Sequence, residues 1–120
     1  MEEQKSDVLK RLQGQIREFV AERDWEPFHT PKNLAISLSV EAAELLEPFQ
    51  WLATGGSEEL GEEKMRHVRD EMADVFIYLL RMADKLDVDL VDAVHHKLAL
   101  NRQKYPAEVV KGSAKKYSDY

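Results

Sequence analysis

Apolar residues recur three and four positions apart through most of the chain, in runs separated by short polar stretches. Val8, Leu9, Leu12, Ile16, Phe19 and Val20 share one helical face and predict a first helix over roughly residues 3–23. It gives way to RDWEPFHTPKN, a loop rich in aromatics. Thr30-Pro31 has the form of an N-cap followed by proline at the first helical position, so a second helix is expected from Pro31 to about Leu52. Pro48 falls inside that span; without an amide hydrogen it should kink or end the helix nearby. After the loop ATGGSEELG, Met65, Val68, Met72, Val75, Phe76, Leu79, Ala83 and Leu86 form the stripe of a third helix, which begins near Ser57 or Glu62 and runs to about Leu86. DVD breaks it. A fourth helix, about Asp89 to Lys104, carries Leu90, Val94 and Leu98, and Pro106 stops it. Residues 105–120 read as an irregular tail rich in lysine and tyrosine. Four helices with short connections, and no alternating strand pattern, predict an all-α fold, a four-helix bundle.

Size and charge narrow the picture. A chain of 120 residues fits one domain, spanning 1–120, and buries a modest core, so an oligomer is expected. The net charge of -6 argues against a surface built for nucleic-acid polymers or anionic membranes. It does not argue against a small phosphorylated ligand, because a bound cation reverses the local sign. With no cysteine there is no disulfide, thiolate metal site or cysteine nucleophile. The polar start MEEQKSDVLK is not a secretory signal, and no apolar run approaches a membrane span, so a soluble, cytoplasmic protein is expected.

Four carboxylates stand out. Glu41 and Glu44 are three apart and point to one side of the second helix, inside an apolar run. The third helix repeats the device with Glu71 and Asp74, and Tyr78 lies one turn further on the same side. Acidic residues number 23 of 120, so pairs at spacing three arise by chance, and most face water. Glu47, Glu58, Glu59, Glu62 and Glu63 are read that way. The chosen four differ because they are embedded in apolar sequence, where a charge is costly unless paired or bound to an ion. The two helices are neighbours in sequence and can pack antiparallel, which would gather the four groups. Such a cluster must take up protons or cations. Hard carboxylate oxygens suit Mg²⁺, with Mn²⁺ as the other candidate.

ExxE, a gap of 26 residues, then ExxD is the metal motif of the all-α nucleoside triphosphate pyrophosphohydrolases, the MazG-like group, which this sequence resembles. AERDWEPFHTPKNLAISLSVEAAELLEPFQW, DEMADVFIYLL and NRQKYP…KGSAKKYSD are similar to the dCTP pyrophosphatase-type branch. The resemblance implies Mg²⁺-dependent hydrolysis of dCTP or related (modified) pyrimidine deoxynucleotides to monophosphate and pyrophosphate, in a homodimer or homotetramer with sites near subunit interfaces. It implies that Glu41, Glu44, Glu71 and Asp74 hold the metal. Glu41 or Glu44 could accept the proton of the attacking water.

The remaining candidates have an ordinary reading beside the functional one. Two tryptophans near an apolar helix are more often core. Trp25, Phe28, His29 and Trp51 flank loops, however, and the resemblance assigns them, with Tyr78, to recognition of the base, His29 through a hydrogen bond. Lys97, Asn101 and Lys104 share a face of the fourth helix. Ordinarily that is a wet stripe; the resemblance assigns it to phosphates. Lys111, Lys115, Lys116 and Tyr117 would close over the triphosphate. His95 and His96 read as structural or exposed, because the chain lacks the second Glu-x-x-His of a di-iron bundle. Relatives of the dCTP type carry a histidine where Ile16 stands, which bears on base preference. Two other readings compete with the enzyme: a nucleotide-binding module without catalysis, and a helical interaction domain whose acidic pairs face water.

Overall fold

The computed structural model describes residues 5–113. These form helices and turns, with no strand among the described residues: α1 (Lys5–Glu22), α2 (Pro31–Leu46), α3 (Ser57–Leu86), α4 (Leu90–Lys104) and a short α5 (Ala107–Val110). They fall into two compact units, one ending at Asp87 and the other beginning at Val88.

In the first unit α2 lies along α3, and α1 packs against α3. Val20 of α1, Leu34 of α2 and Leu80 of α3 are the most deeply buried side chains, with Leu60, Val68 and Ala83 beside them in the core. Each buried leucine or valine contributes roughly 1.5–3 kcal/mol, which holds the three helices together. Two polar ties fix α1 on α3. Gln13 Nε2 donates to the Leu80 carbonyl at 3.1 Å, and Arg17 Nη1 donates to Asp84 Oδ1 at 2.8 Å. Large apolar side chains nevertheless stay exposed on α2 and α3, Ile36, Val40, Leu46, Met72 and Phe76 among them.

Helix ends follow local chemistry. At the end of α1 the Trp25 amide donates to the Val20 carbonyl and the Asp24 amide to the Ala21 carbonyl, with Asp24 left-handed at φ 54°. This is a Schellman closure in which aspartate takes the place usually filled by glycine. Asp87 is likewise left-handed at the end of α3, φ 55°, its amide donating to the Ala83 and Asp84 carbonyls. Thr30 caps α2 as expected, its Oγ1 accepting from the Asn33 amide at 3.2 Å, with Pro31 at the start of the helix. The second helix is shorter than its apolar pattern predicts. It stops at Leu46, and Glu47–Phe49 continue as a 3₁₀ turn around Pro48, which cannot supply the next helical donor.

Both predicted starts of the third helix are real. α3 begins at Ser57, but Gly61 is non-helical at φ 73° and ψ 173°, so a fresh run sets out from Glu62. Glu59, expected to face water, instead closes the preceding loop. Its carboxylate accepts from the amides of Ala53, Thr54 and Gly55 and from the Thr54 hydroxyl, at 2.7–3.0 Å.

In the second unit Asp89 caps α4, its Oδ1 accepting from the Asp92 amide at 3.1 Å. The tail expected to be irregular from residue 105 contains α5, because Pro106 ends α4 and its carbonyl then accepts from the Val109 and Val110 amides. Lys115, Lys116 and Tyr117 lie outside the described residues.

The hydrogen bonds from Thr54, side chain first and then backbone, hold the Glu59 carboxyl down to about 2, against an ordinary value of 4.5. A depressed carboxyl contributes stability above its unfolded value and loses it as pH falls through the folded one. Glu59→Ala should therefore lower the melting temperature by a constant amount above pH 4.5. That difference from the wild type should shrink toward nothing near pH 2, as thermal melts across the range will check.

Candidate active site

Packing of α2 on α3 gathers Glu41, Glu44 and Glu71. One carboxylate oxygen from each lies within 4.8 Å of the others. Glu71 is 9% exposed, and Glu41 and Glu44 are half-buried. Glu41 Oε2 and Glu71 Oε2 are buried with no hydrogen-bond partner among the described residues. Unit charges 4.8 Å apart repel by ~3 kcal/mol at an effective dielectric of ~20, so the group does not stay triply ionised without compensation. The close Glu71 carboxyl, then burial, then the neighbouring Glu44 push the Glu41 carboxyl up to about 7. Orphaned buried oxygens of the hard, acceptor-only kind are the donor set that a divalent cation such as Mg²⁺ or Mn²⁺ fits.

Asp74 follows Glu71 by three residues on α3 and is half-buried. It stands outside the group of three and lines a neighbouring cavity of about 550 Å³. Around that cavity are Ile16 and Phe19 from α1, Trp25 and His29 from the aromatic loop, and Tyr78 from α3. The Schellman closure throws Trp25 back along α1, where its ring meets Phe19 edge-on at 5.8 Å between centroids. The walls are mainly apolar, with polar groups supplied by Gln15, His29, Asp74 and Tyr78. An apolar slot carrying a few convergent polar groups, next to an acid cluster, suits a flat heterocycle attached to an anion.

The structure thus brings Trp25, His29, Tyr78 and Asp74 to one cavity and Glu41, Glu44 and Glu71 to one cluster. Phe28 and Trp51 are outside the cavity lining, 66% and 87% exposed. Neither tryptophan is core: Trp25 also remains 43% exposed, because both sit where a helix has just ended. On α4, Lys97 and Lys104 are exposed and Asn101 is half-buried; Lys111 is exposed after α5, as are His95 and His96 on α4.

Sequence reasoning missed Arg81. It is 3% exposed and binds the aromatic loop: Nε donates to His29 Nδ1 at 3.2 Å, and Nη2 pairs with Glu26. Lys85 pairs with the other oxygen of Glu26. A signal was present. Glu71, Asp74, Tyr78, Arg81 and Lys85 advance by three or four residues each and lie on one helical face.

A MazG-like family profile matches residues 36–120. The chain is 45% identical to dCTP pyrophosphatase 1 of Rattus norvegicus and 42% identical to that of Homo sapiens, over 113 residues each. These alignments take in 92% of this chain but 65% of each relative's length. The fold is that of a pyrophosphatase from Archaeoglobus fulgidus known from its crystal structure, with a TM-score of 0.78 and 41% identity over 88% of this chain and 98% of that one.

Because the folded protein keeps the Glu41 proton to about pH 7 rather than 4.5, it binds more protons than the unfolded chain between those values. Its stability without metal should therefore fall as pH rises through that window, and Glu41→Gln should flatten the slope. A divalent cation that occupies the cluster, at ~100 times its dissociation constant, should add ~2.7 kcal/mol, so melts with and without it diverge above pH 7.

Proposed function

The chain belongs to the MazG-like family, and on that premise we propose that it is a nucleoside triphosphate pyrophosphohydrolase acting on dCTP or a related, modified pyrimidine deoxynucleotide. The observation that carries this reading is the adjacency of a three-carboxylate cluster and an aromatic cavity, with Asp74 between them on α3. The names of the similar proteins point the same way.

Glu41, Glu44 and Glu71, with Asp74, would hold Mg²⁺. The ion would supply neutralisation of triphosphate charge and a more acidic bound water. The chain's own residues do the rest. Trp25 and Phe19 offer aromatic faces to a flat base, and Tyr78 and His29 offer polar edges. Phe28 and the exposed Trp51 would supply further base contacts. Lys97, Asn101, Lys104 and Lys111 would serve as phosphate ligands, since cations and an amide at helical spacing suit phosphate oxygens. A homodimer or homotetramer would cover the apolar side chains left exposed on α2 and α3. In the reaction a water oxygen bonds to the α-phosphorus, the bond to the α–β bridging oxygen breaks, and pyrophosphate leaves. Glu41 or Glu44 takes the proton.

Incubation with dCTP and Mg²⁺ should give dCMP and pyrophosphate, identified by chromatography. Orthophosphate with dCDP would refute attack at the α-phosphorus. Glu41→Gln, Glu71→Gln and Asp74→Asn should each lower kcat by ~100-fold or more, at least the low end of what a positioned base or charge-stabilising group supplies, while circular dichroism stays helical.

A further inference from the structure

Arg81 is the least expected side chain in the first unit, a guanidinium 3% exposed at the edge of an apolar core. All three of its nitrogens have partners. Nε faces His29 Nδ1 at 3.2 Å, Nη2 binds Glu26, and Nη1 lies 3.6 Å from Asp84 Oδ2. Asp84 is held in turn by Arg17. Because the guanidinium is planar, partners on all three nitrogens fix both its position and its plane.

That arrangement dictates the state of His29. A guanidinium has donors and no acceptor. Any hydrogen bond between Arg81 Nε and His29 Nδ1 therefore requires a lone pair on Nδ1. The imidazole must be neutral, and its single proton must sit on Nε2, at the other edge of the ring. His29 also lines the cavity, beside Trp25 at 6.5 Å between ring centroids. Burial, and then the Arg81 charge, push the imidazole's proton affinity down, and Lys85 adds to this while Glu26 opposes it. The neutral ring is thus favoured on independent grounds.

We propose that Arg81 is a positioning residue that locks His29 as the Nε2–H tautomer, so that the cavity presents a hydrogen-bond donor and selects ligands with an acceptor there. The acceptor would be a carbonyl oxygen or an unprotonated ring nitrogen of a nucleobase. The opposite tautomer would offer a lone pair and select an amino group instead, so one contact outside the cavity sets which edge of the base is read. The ligand half of this inference rests on the nucleotide reading above; the tautomer half does not.

The two halves are tested separately. Long-range proton–nitrogen correlation spectra of the ligand-free protein report each imidazole nitrogen, with His29 assigned by its loss in His29→Gln. The expected pattern is an unprotonated Nδ1 and a protonated Nε2. A protonated Nδ1, or an average of both forms, overturns the proposal in the wild type alone, whether or not any Arg81 variant folds. In Arg81→Met the lock should be gone and His29 should show mixed tautomers; an unchanged pattern there also overturns it. With dCTP as probe, Arg81→Met should raise KM by ~3- to 10-fold, the loss of one hydrogen bond, and lower kcat by a smaller factor. An equal fall in kcat with KM unmoved would contradict a role in reading the base. Failure of the wild type to turn over dCTP would reject the nucleotide reading and leave the tautomer result standing.

Discussion

The contact between α2 and α3 presses the carboxylates of Glu41, Glu44 and Glu71 together, and much of the first unit can be understood as what permits that. Left in water on separate helices, these groups would ionise independently near the usual carboxylate range. Drawn within 4.8 Å of one another, with Glu41 Oε2 and Glu71 Oε2 buried and without a hydrogen-bond partner among the described residues, they work against the apolar burial that closes the helices. Leu34, Leu80 and Val20 supply that burial. A proton kept on Glu41 to about pH 7 is one relief, and a cation is the other.

α3 organises the rest along a single face. Glu71 stands in the acid cluster, Asp74 and Tyr78 line the cavity, and Arg81 and Lys85 grip Glu26 in the aromatic loop. The acid cluster, the cavity wall and the fastening of the loop therefore follow one another at helical spacing on one rigid element. Side chains presented from one rigid helix keep their mutual spacing, which is the advantage of building a site on a helix.

Much of this was legible in the sequence, and the reasons for the gaps are physical. Helix positions follow from apolar periodicity, which is a property of the chain itself. The stop at Leu46 and the cap at Thr30 follow from what proline and threonine can and cannot bond. Periodicity places a residue on a face but says nothing of its reach: Glu71 and Asp74 share a side of α3, yet Glu71 enters the cluster and Asp74 the cavity wall. The two left-handed aspartates, Asp24 and Asp87, were opaque because the closure they make is more often marked by glycine. Glu59 looked like any acidic residue in a polar segment, since its partners are backbone amides with no signature of their own.

Arg81 shows most clearly where single-residue reasoning stops. An arginine after YLL reads as the cationic end of an apolar run, and nothing in its own identity distinguishes it from Lys85. Its burial comes from two partners more than fifty residues earlier: Glu26 fifty-five away, and His29 fifty-two away, both in a loop that α1 delivers only after its Schellman closure. The cost of burying the guanidinium is offset by Glu26 and Asp84, so charge balance alone would not require His29 at all. The contact to His29 is the surplus, and it is the one that reaches the cavity. A residue whose charge is already compensated, yet spends its remaining donor on an imidazole in a ligand-sized space, constrains the chemistry of that space as well as the stability of the loop.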